Sequence, residues 1–180
     1  MLAKMLGTLV VVAAVAASAQ AAPPAGGSGA KQGAAPAGKK SAADAAAQQL
    51  ARGRYLVKIA GCNECHTAGY AAAAGAVPEE SWVLGDTVGY RGAWGTTYPA
   101  NLRLFVARLS EQEWIAAVKK LQTRPPMPWY GVRELWPGDL VAMYRYMRKL
   151  GPSGIAAPAF VPPGTEPKGP FVQYPAPARK

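Results

Sequence analysis

Five consecutive residues hold the most specific chemistry of this chain: Cys62, Asn63, Glu64, Cys65 and His66. Their spacing, C-x-x-C-H, is the pattern by which two thiols bond a c-type haem. Each thiol can add to one of the two vinyl groups of the same porphyrin. The histidine that follows is then placed to put an imidazole nitrogen on the iron. The chain contains 2 cysteines and 1 histidine, so the motif uses all of them. Competing chemistries fit these residues less well. A structural zinc site takes four nitrogen or sulfur ligands, more than the motif offers. A thiol–disulfide exchange motif belongs with a βαβ pattern, and none surrounds Cys62. A Cys62–Cys65 disulfide would close a very small loop and constrain little.

With His66 on one side of an iron, no second histidine remains for the other. The candidates are Met127, Met143, Met147, a lysine, a tyrosine, water or an empty position. Met127 lies in Arg124-Pro125-Pro126-Met127-Pro128-Trp129. Prolines on both sides fix backbone torsions and would hold the thioether with little entropic loss. Met143 and Met147 sit on an apolar helical face, where methionine usually fills core space. Met127 is therefore the expected second ligand. A neutral thioether favours Fe(II) and raises the potential, and a filled sixth position leaves no site for oxygen or peroxide. That chemistry is one-electron exchange without catalysis, so the expectation is a carrier and not an enzyme. Tyr90, Trp94 and Tyr98 could cover a porphyrin edge, with Arg91 or Arg103 near the propionates. Ordinary packing of loop aromatics on helices is the competing reading.

Three main helices would position these groups. Ser41 with Asp44 reads as a cap followed by acid in the first turn, and an Ala-rich helix should run to about Ala60, burying Leu50, Tyr55, Leu56 and Ile59. Gly53 costs that helix about 1 kcal/mol relative to Ala; close approach of another helix would compensate. From Thr67 to Asn101 glycines and prolines punctuate the sequence, which reads as irregular chain wrapping a cofactor. Ser110-Glu111-Gln112-Glu113 is a capping box, with Trp114, Val118 and Leu121 at helical spacing behind it. Pro125 and Pro126 end that helix. The third runs from Pro137 to about Leu150, with Leu140, Met143, Tyr144, Met147 and Leu150 on one face, and stops at Gly151-Pro152. Strands have little support, so the expected class is all-α with long irregular loops and tails.

The ends differ from the middle. Met1–Ala21 reads as a secretory signal peptide: Lys4, an apolar run over Leu6–Ala17, then small residues for cleavage. That run is too short for a spanning helix of about 20 residues, so no stable membrane span is expected. Ala22–Lys40 is an Ala/Pro/Gly/Lys linker without a bulky apolar side chain. Residues 41–152 form the expected domain, and 153–180 a proline-rich tail. The formal net charge is +10. Much of the excess lies in the flanks, at Lys31, Lys39, Lys40, Lys168, Arg179 and Lys180. A basic surface can steer an acidic partner, but no basic, aromatic-interleaved motif supports nucleic-acid binding.

On the residues Gly53-Arg54-Tyr55-Leu56-Val57, Cys62 to Thr67, Pro126-Met127-Pro128 and Tyr144-Arg145-Tyr146-Met147, the chain resembles the class I c-type cytochromes. The resemblance spans roughly Ala51–Gly151. It implies a cytochrome c fold around one covalently bound haem c, with Cys62 and Cys65 on the porphyrin and His66 and Met127 on the iron. It also implies a glycine and an aromatic where the first and last helices cross, parts that would fall to Gly53, Tyr55 and Tyr144. Gly95–Asn101 is similar to a loop in cytochrome subunits of periplasmic alcohol and sugar-acid dehydrogenases. Those subunits usually carry three haem domains and a membrane anchor, and here one haem motif is present. Their Asn-led loop is longer than the stretch from Asn101 to Ser110, and Trp136 stands where a Ser or Thr cap is usual. The implied function is a periplasmic mono-haem electron carrier between a donor dehydrogenase or membrane complex and an acceptor such as an oxidase or another cytochrome. Two alternatives stay open: a non-catalytic electron-transfer subunit of a larger complex, or a haem enzyme or gas sensor with a labile sixth ligand.

Overall fold

The computed structural model describes residues 41–175. The expected signal peptide and the linker that follows it lie outside the described residues, as does the end of the tail, 176–180. The described chain is mostly helical: α1 (Ala42–Ile59), α2 (Cys62–His66), α3 (Leu102–Ala107), α4 (Glu111–Lys119), α5 (Trp129–Arg133) and α6 (Pro137–Leu150). Three short strands, β1 (Gly89–Gly92), β2 (Gly95–Thr97) and β3 (Phe171–Gln173), form one sheet in the order β2-β1-β3. The all-α expectation is thereby corrected. β1 and β2 are an antiparallel hairpin with Tyr90 opposite Thr97, and β3 lies parallel to β1 with Tyr90 opposite Val172. The glycines at both strand ends concealed the hairpin, and β3 arrives from the far end of the sequence, where local periodicity carries no signal.

Helix starts follow local capping chemistry. Ser41 Oγ accepts from the Asp44 amide at 3.1 Å while the Asp44 carboxylate accepts from the Ser41 amide. Ser110 and Glu113 make the same reciprocal pair at α4. α3 was not expected; Asn101 caps it, its Oδ1 accepting from the Leu104 amide at 3.0 Å. That asparagine, followed by Leu102, Phe105 and Val106 at helical spacing, was the available signal.

α1 packs on α6, and the contact centres on Gly53. A Cβ at Gly53 would stand 2.7 Å from the Tyr146 Cβ and nearer still to the Ala142 carbonyl. The expected aromatic partners need correction. Tyr146, not Tyr144, lies at the crossing; Tyr144 instead donates its hydroxyl to the Leu109 carbonyl at 2.7 Å. Tyr55 and Ile59 are exposed, and α1 buries Gly53, Leu56 and Val57. The reason is helical phase: 100° per residue places 53, 56 and 57 on one stripe with Gly53 at its centre. Val106, Trp114, Val118, Leu140, Met143 and Met147 complete the core. Trp114 keeps its indole N–H satisfied on the Leu140 carbonyl at 2.9 Å.

Across the same crossing runs a polar network. Glu79 accepts from Arg54 and from the Tyr146 hydroxyl at 2.8 Å. Burial pushes the Glu79 carboxyl up, but those two donors outweigh it and hold it below the ordinary carboxylate range; burial first, then Glu79, pushes the Tyr146 hydroxyl up.

The proline-rich segment after Ser153 is a strap bound to the domain through residue 174. Asn101 Nδ2 donates to the Ser153 and Ile155 carbonyls. Thr96 and Val161 exchange both backbone bonds, at 2.8 and 3.0 Å. Gly89 donates to the Pro170 carbonyl, Tyr174 donates to the Arg91 carbonyl, and Arg91 pairs with Glu166 at 2.6 Å. No helix among the described residues is long and apolar enough to cross a membrane.

The crossing makes two outcomes testable. Gly53→Ala should lower unfolding free energy by about 2 kcal/mol in urea titration, because overpacking against backbone costs about 3 kcal/mol and helix propensity returns about 1 kcal/mol. Glu79 has a depressed folded pKa, so its contribution is present above the unfolded carboxylate range and lost as pH falls through the folded value. Between about pH 5 and pH 3, wild type should therefore lose more stability than Glu79→Gln; parallel acid limbs would refute this.

Candidate functional site

Gly61, in the left-handed conformation at φ 72°, turns the chain from α1 into the single turn α2. Cys62, Cys65 and His66 thus share one short helix. Both cysteines are free and half-buried, while His66 is buried. Burial pushes the Cys62 thiol up to about 11. A thiol–disulfide exchange nucleophile needs the opposite, a thiol shifted toward the thiolate.

The imidazole is fixed from two directions. Its Nδ1 lies 2.7 Å from the Ala100 carbonyl oxygen. A carbonyl only accepts, so Nδ1 carries the proton and Nε2 keeps its lone pair. Burial pulls the His66 pKa down, partly countered by the Ala100 carbonyl. The His66 backbone carbonyl accepts from the Gly85 amide at 2.7 Å, and Asp86 donates to the Pro99 carbonyl. Gly85 sits at φ 83° against the chain that supplies the Ala100 carbonyl; a Cβ there would meet Pro99 O at 2.8 Å and Asn101 N at 2.9 Å. A side chain at position 85 would push that segment off the ring.

Next to Gly85, Val83 is held at φ 53°, although it is β-branched and fully buried. Such strain costs of order 1–3 kcal/mol and persists only where neighbours over-determine the conformation. Here the Val83 amide donates to Thr67 Oγ1 at 2.8 Å and its carbonyl accepts from Leu102. Thr67 passes its own proton to Asn63 Oδ1 at 2.8 Å, which leaves the buried Asn63 Nδ2 without a partner.

No protein-family model, curated protein or solved structure matches this chain.

Burial first, then the neighbouring Cys65, pushes the pKa of the Tyr90 hydroxyl up. Opposite Tyr90 across the ladder, Thr97 donates its hydroxyl to the Pro125 carbonyl at 2.8 Å, two residues before Met127. That rung of the hairpin is tied to the methionine loop through the Thr97 hydroxyl. Met127 is half-buried, whereas Met143 and Met147 belong to the core.

The other expected residues divide. Trp94, at the hairpin turn, packs edge-on against Tyr174 of the strap with ring centroids 5.4 Å apart, and its buried Nε1 has no hydrogen-bond partner. Arg91 is engaged by Glu166 and lies over the Phe171 ring. Tyr98 turns to the strap: it packs on Gly89 and helps line a cavity of about 370 Å³ with Val161, Lys168 and Pro170. Arg103 is not available to a propionate. It is buried, and its guanidinium donates to the Glu80, Leu150 and Gly151 carbonyls, closing the end of α6. Position alone suggested Arg103; its burial among helix-end carbonyls is a tertiary fact. Sequence reasoning missed Thr97, Ala100 and Tyr174, which act through a hydroxyl, a backbone carbonyl and a ring respectively.

Tyr174 tests the strap. Its ring contacts Trp94 and, at 6.3 Å, Tyr90. Tyr174→Ala should cost about 2 kcal/mol from lost burial and aromatic pairing, while Tyr174→Phe should stay within about 0.5 kcal/mol. Equal stability of the two variants in thermal unfolding would mean the strap does not hold this edge.

Proposed function

We propose that the chain is an exported mono-haem c-type cytochrome of cytochrome c fold that carries single electrons between redox proteins in the periplasm. The observation that carries this reading is the His66 ring: its Nδ1 proton is spent on the Ala100 carbonyl, so the Nε2 lone pair of a buried histidine is left on the same helical turn as two free thiols. A ring nitrogen held this way is the usual support for metal ligation.

The residues fit a covalently held haem in a further respect. The unpartnered Trp94 Nε1 is a buried donor, and burying one costs of order 1–3 kcal/mol; a propionate would satisfy it. Cys62 and Cys65 would hold the porphyrin, His66 and Met127 the iron, and Trp94 a carboxylate edge. When bound, the haem supplies a one-electron Fe(III)/Fe(II) couple. The chain's part would be to hold the His66 nitrogen and the Met127 sulfur in place and to exclude water from them, which would keep rearrangement small during electron exchange. Export belongs to this reading because c-type haem is attached outside the bacterial cytoplasm. A basic net charge of +10 suits transient docking to an acidic redox partner.

The test is an optical spectrum of protein matured with haem in a periplasm, beside Met127→Ala. The ferric wild type should show the weak far-red band of methionine sulfur on iron, and the variant should lose it. Cys62→Ala with Cys65→Ala should release the haem into acidified organic solvent. Wild type without covalent haem sinks the proposal, and covalent haem without the band removes Met127 from the iron.

A further inference from the structure

The segment that carries Met127 cannot fix itself. Three of its five residues over 124–128 are prolines, which have no N–H to donate. Its backbone can therefore be anchored mainly through its carbonyls. Two of these serve the start of α5: Met127 O accepts from Trp129, and Pro128 O accepts from Gly131 and Val132. The Pro125 carbonyl is different. It accepts from a side chain on another element, the Thr97 hydroxyl at 2.8 Å. A hydroxyl has one proton, and the Tyr90 carbonyl, at 3.4 Å, is the weaker claimant for it. Thr97 is itself fixed in register, with Tyr90 opposite and Thr96 bound on both backbone groups to Val161.

We propose that Thr97 is the positioning residue for the Met127 sulfur. Its hydroxyl holds the Pro125 carbonyl, and the rigid Pro126-Met127-Pro128 run carries that placement to the thioether two residues on. Thr97 would act through the Pro125 carbonyl and not on the metal itself, setting how readily the sulfur leaves. This inference rests on the reading of Met127 as an iron ligand and adds what governs the strength of that bond. Without the hydroxyl, the loop gains freedom on the side facing the hairpin, and an added ligand competes more easily for the sixth position.

The experiment uses the full holoprotein as wild type, Thr97→Val and Thr97→Ser. Valine keeps the β-branched shape and removes the donor; serine keeps the donor. Ferric protein is titrated with imidazole while the far-red band is followed, and urea unfolding is measured in parallel. Thr97→Val should bind imidazole about tenfold more tightly, the equivalent of one lost hydrogen bond, and Thr97→Ser should return to near wild type. A valine variant that is less stable in urea yet binds imidazole as wild type does would make Thr97 purely structural and overturn the proposal. A valine variant that fails to fold while the serine variant shifts imidazole affinity despite keeping its hydroxyl would overturn it as well. Wild type lacking the band at the outset would instead overturn the methionine ligation, and this inference with it.

Discussion

Everything in the described chain depends on one close approach, that of α1 to α6 at Gly53. Because no side chain stands there, the backbone of α1 meets Ala142 and Tyr146 directly, and the two longest helices become one rigid unit. Only Ala60 and Gly61 separate the end of α1 from Cys62, so the position of the motif follows from that of the crossing. α6 is closed at its far end by Arg103, which spends its guanidinium on the Leu150 and Gly151 carbonyls. The strap begins where that closure ends. A buried arginine costs solvation, and burial lowers the Arg103 pKa accordingly; the cost is offset by three carbonyl acceptors that would otherwise lack donors.

On that frame the candidate site is built by bonds that close on themselves. His66 donates a ring proton to Ala100; the chain around Ala100 packs against Gly85; and Gly85 donates back to the His66 carbonyl. Asn101, next in sequence, caps α3 with one side-chain atom and grips the strap with the other. A loop that looked unstructured in composition is thus among the most constrained parts of the fold. The left-handed Val83 belongs to the same logic, because its backbone is engaged on both sides and cannot relax without releasing Thr67 or Leu102.

What could be read from sequence was what local chemistry dictates. The capping boxes at Ser41 and Ser110 mark their helices, α6 starts at Pro137 and ends at Leu150 as its proline and glycine require, and the cost of Gly53 pointed to a crossing. What was not legible depends on contacts between distant segments. Tyr146 rather than Tyr144 faces Gly53; the two tyrosines lie on opposite sides of α6, so residue type alone could not choose between them. Arg103 looked like a charge for a ligand edge until its burial was known. β3 could not be anticipated, since Phe171–Gln173 has meaning as a strand only beside Gly89–Gly92. The backbone carbonyl of Ala100 has no sequence signature, because every residue has one.

The last constraint is economy. A chain with one histidine cannot place two imidazoles on one metal, so under the proposed reading the two axial atoms must come from unlike elements. One stands on a helix turn next to the covalent attachment points; the other stands on a proline-locked loop more than sixty residues later in the chain. The histidine side is fixed redundantly, by a ring bond and a backbone bond. The methionine side is joined to the hairpin through a threonine hydroxyl and to the strap through Arg124 stacked on Phe160 at 3.7 Å. Hairpin and strap thus both reach the methionine side, and the strap also reaches the histidine side through Asn101, next to the Ala100 carbonyl.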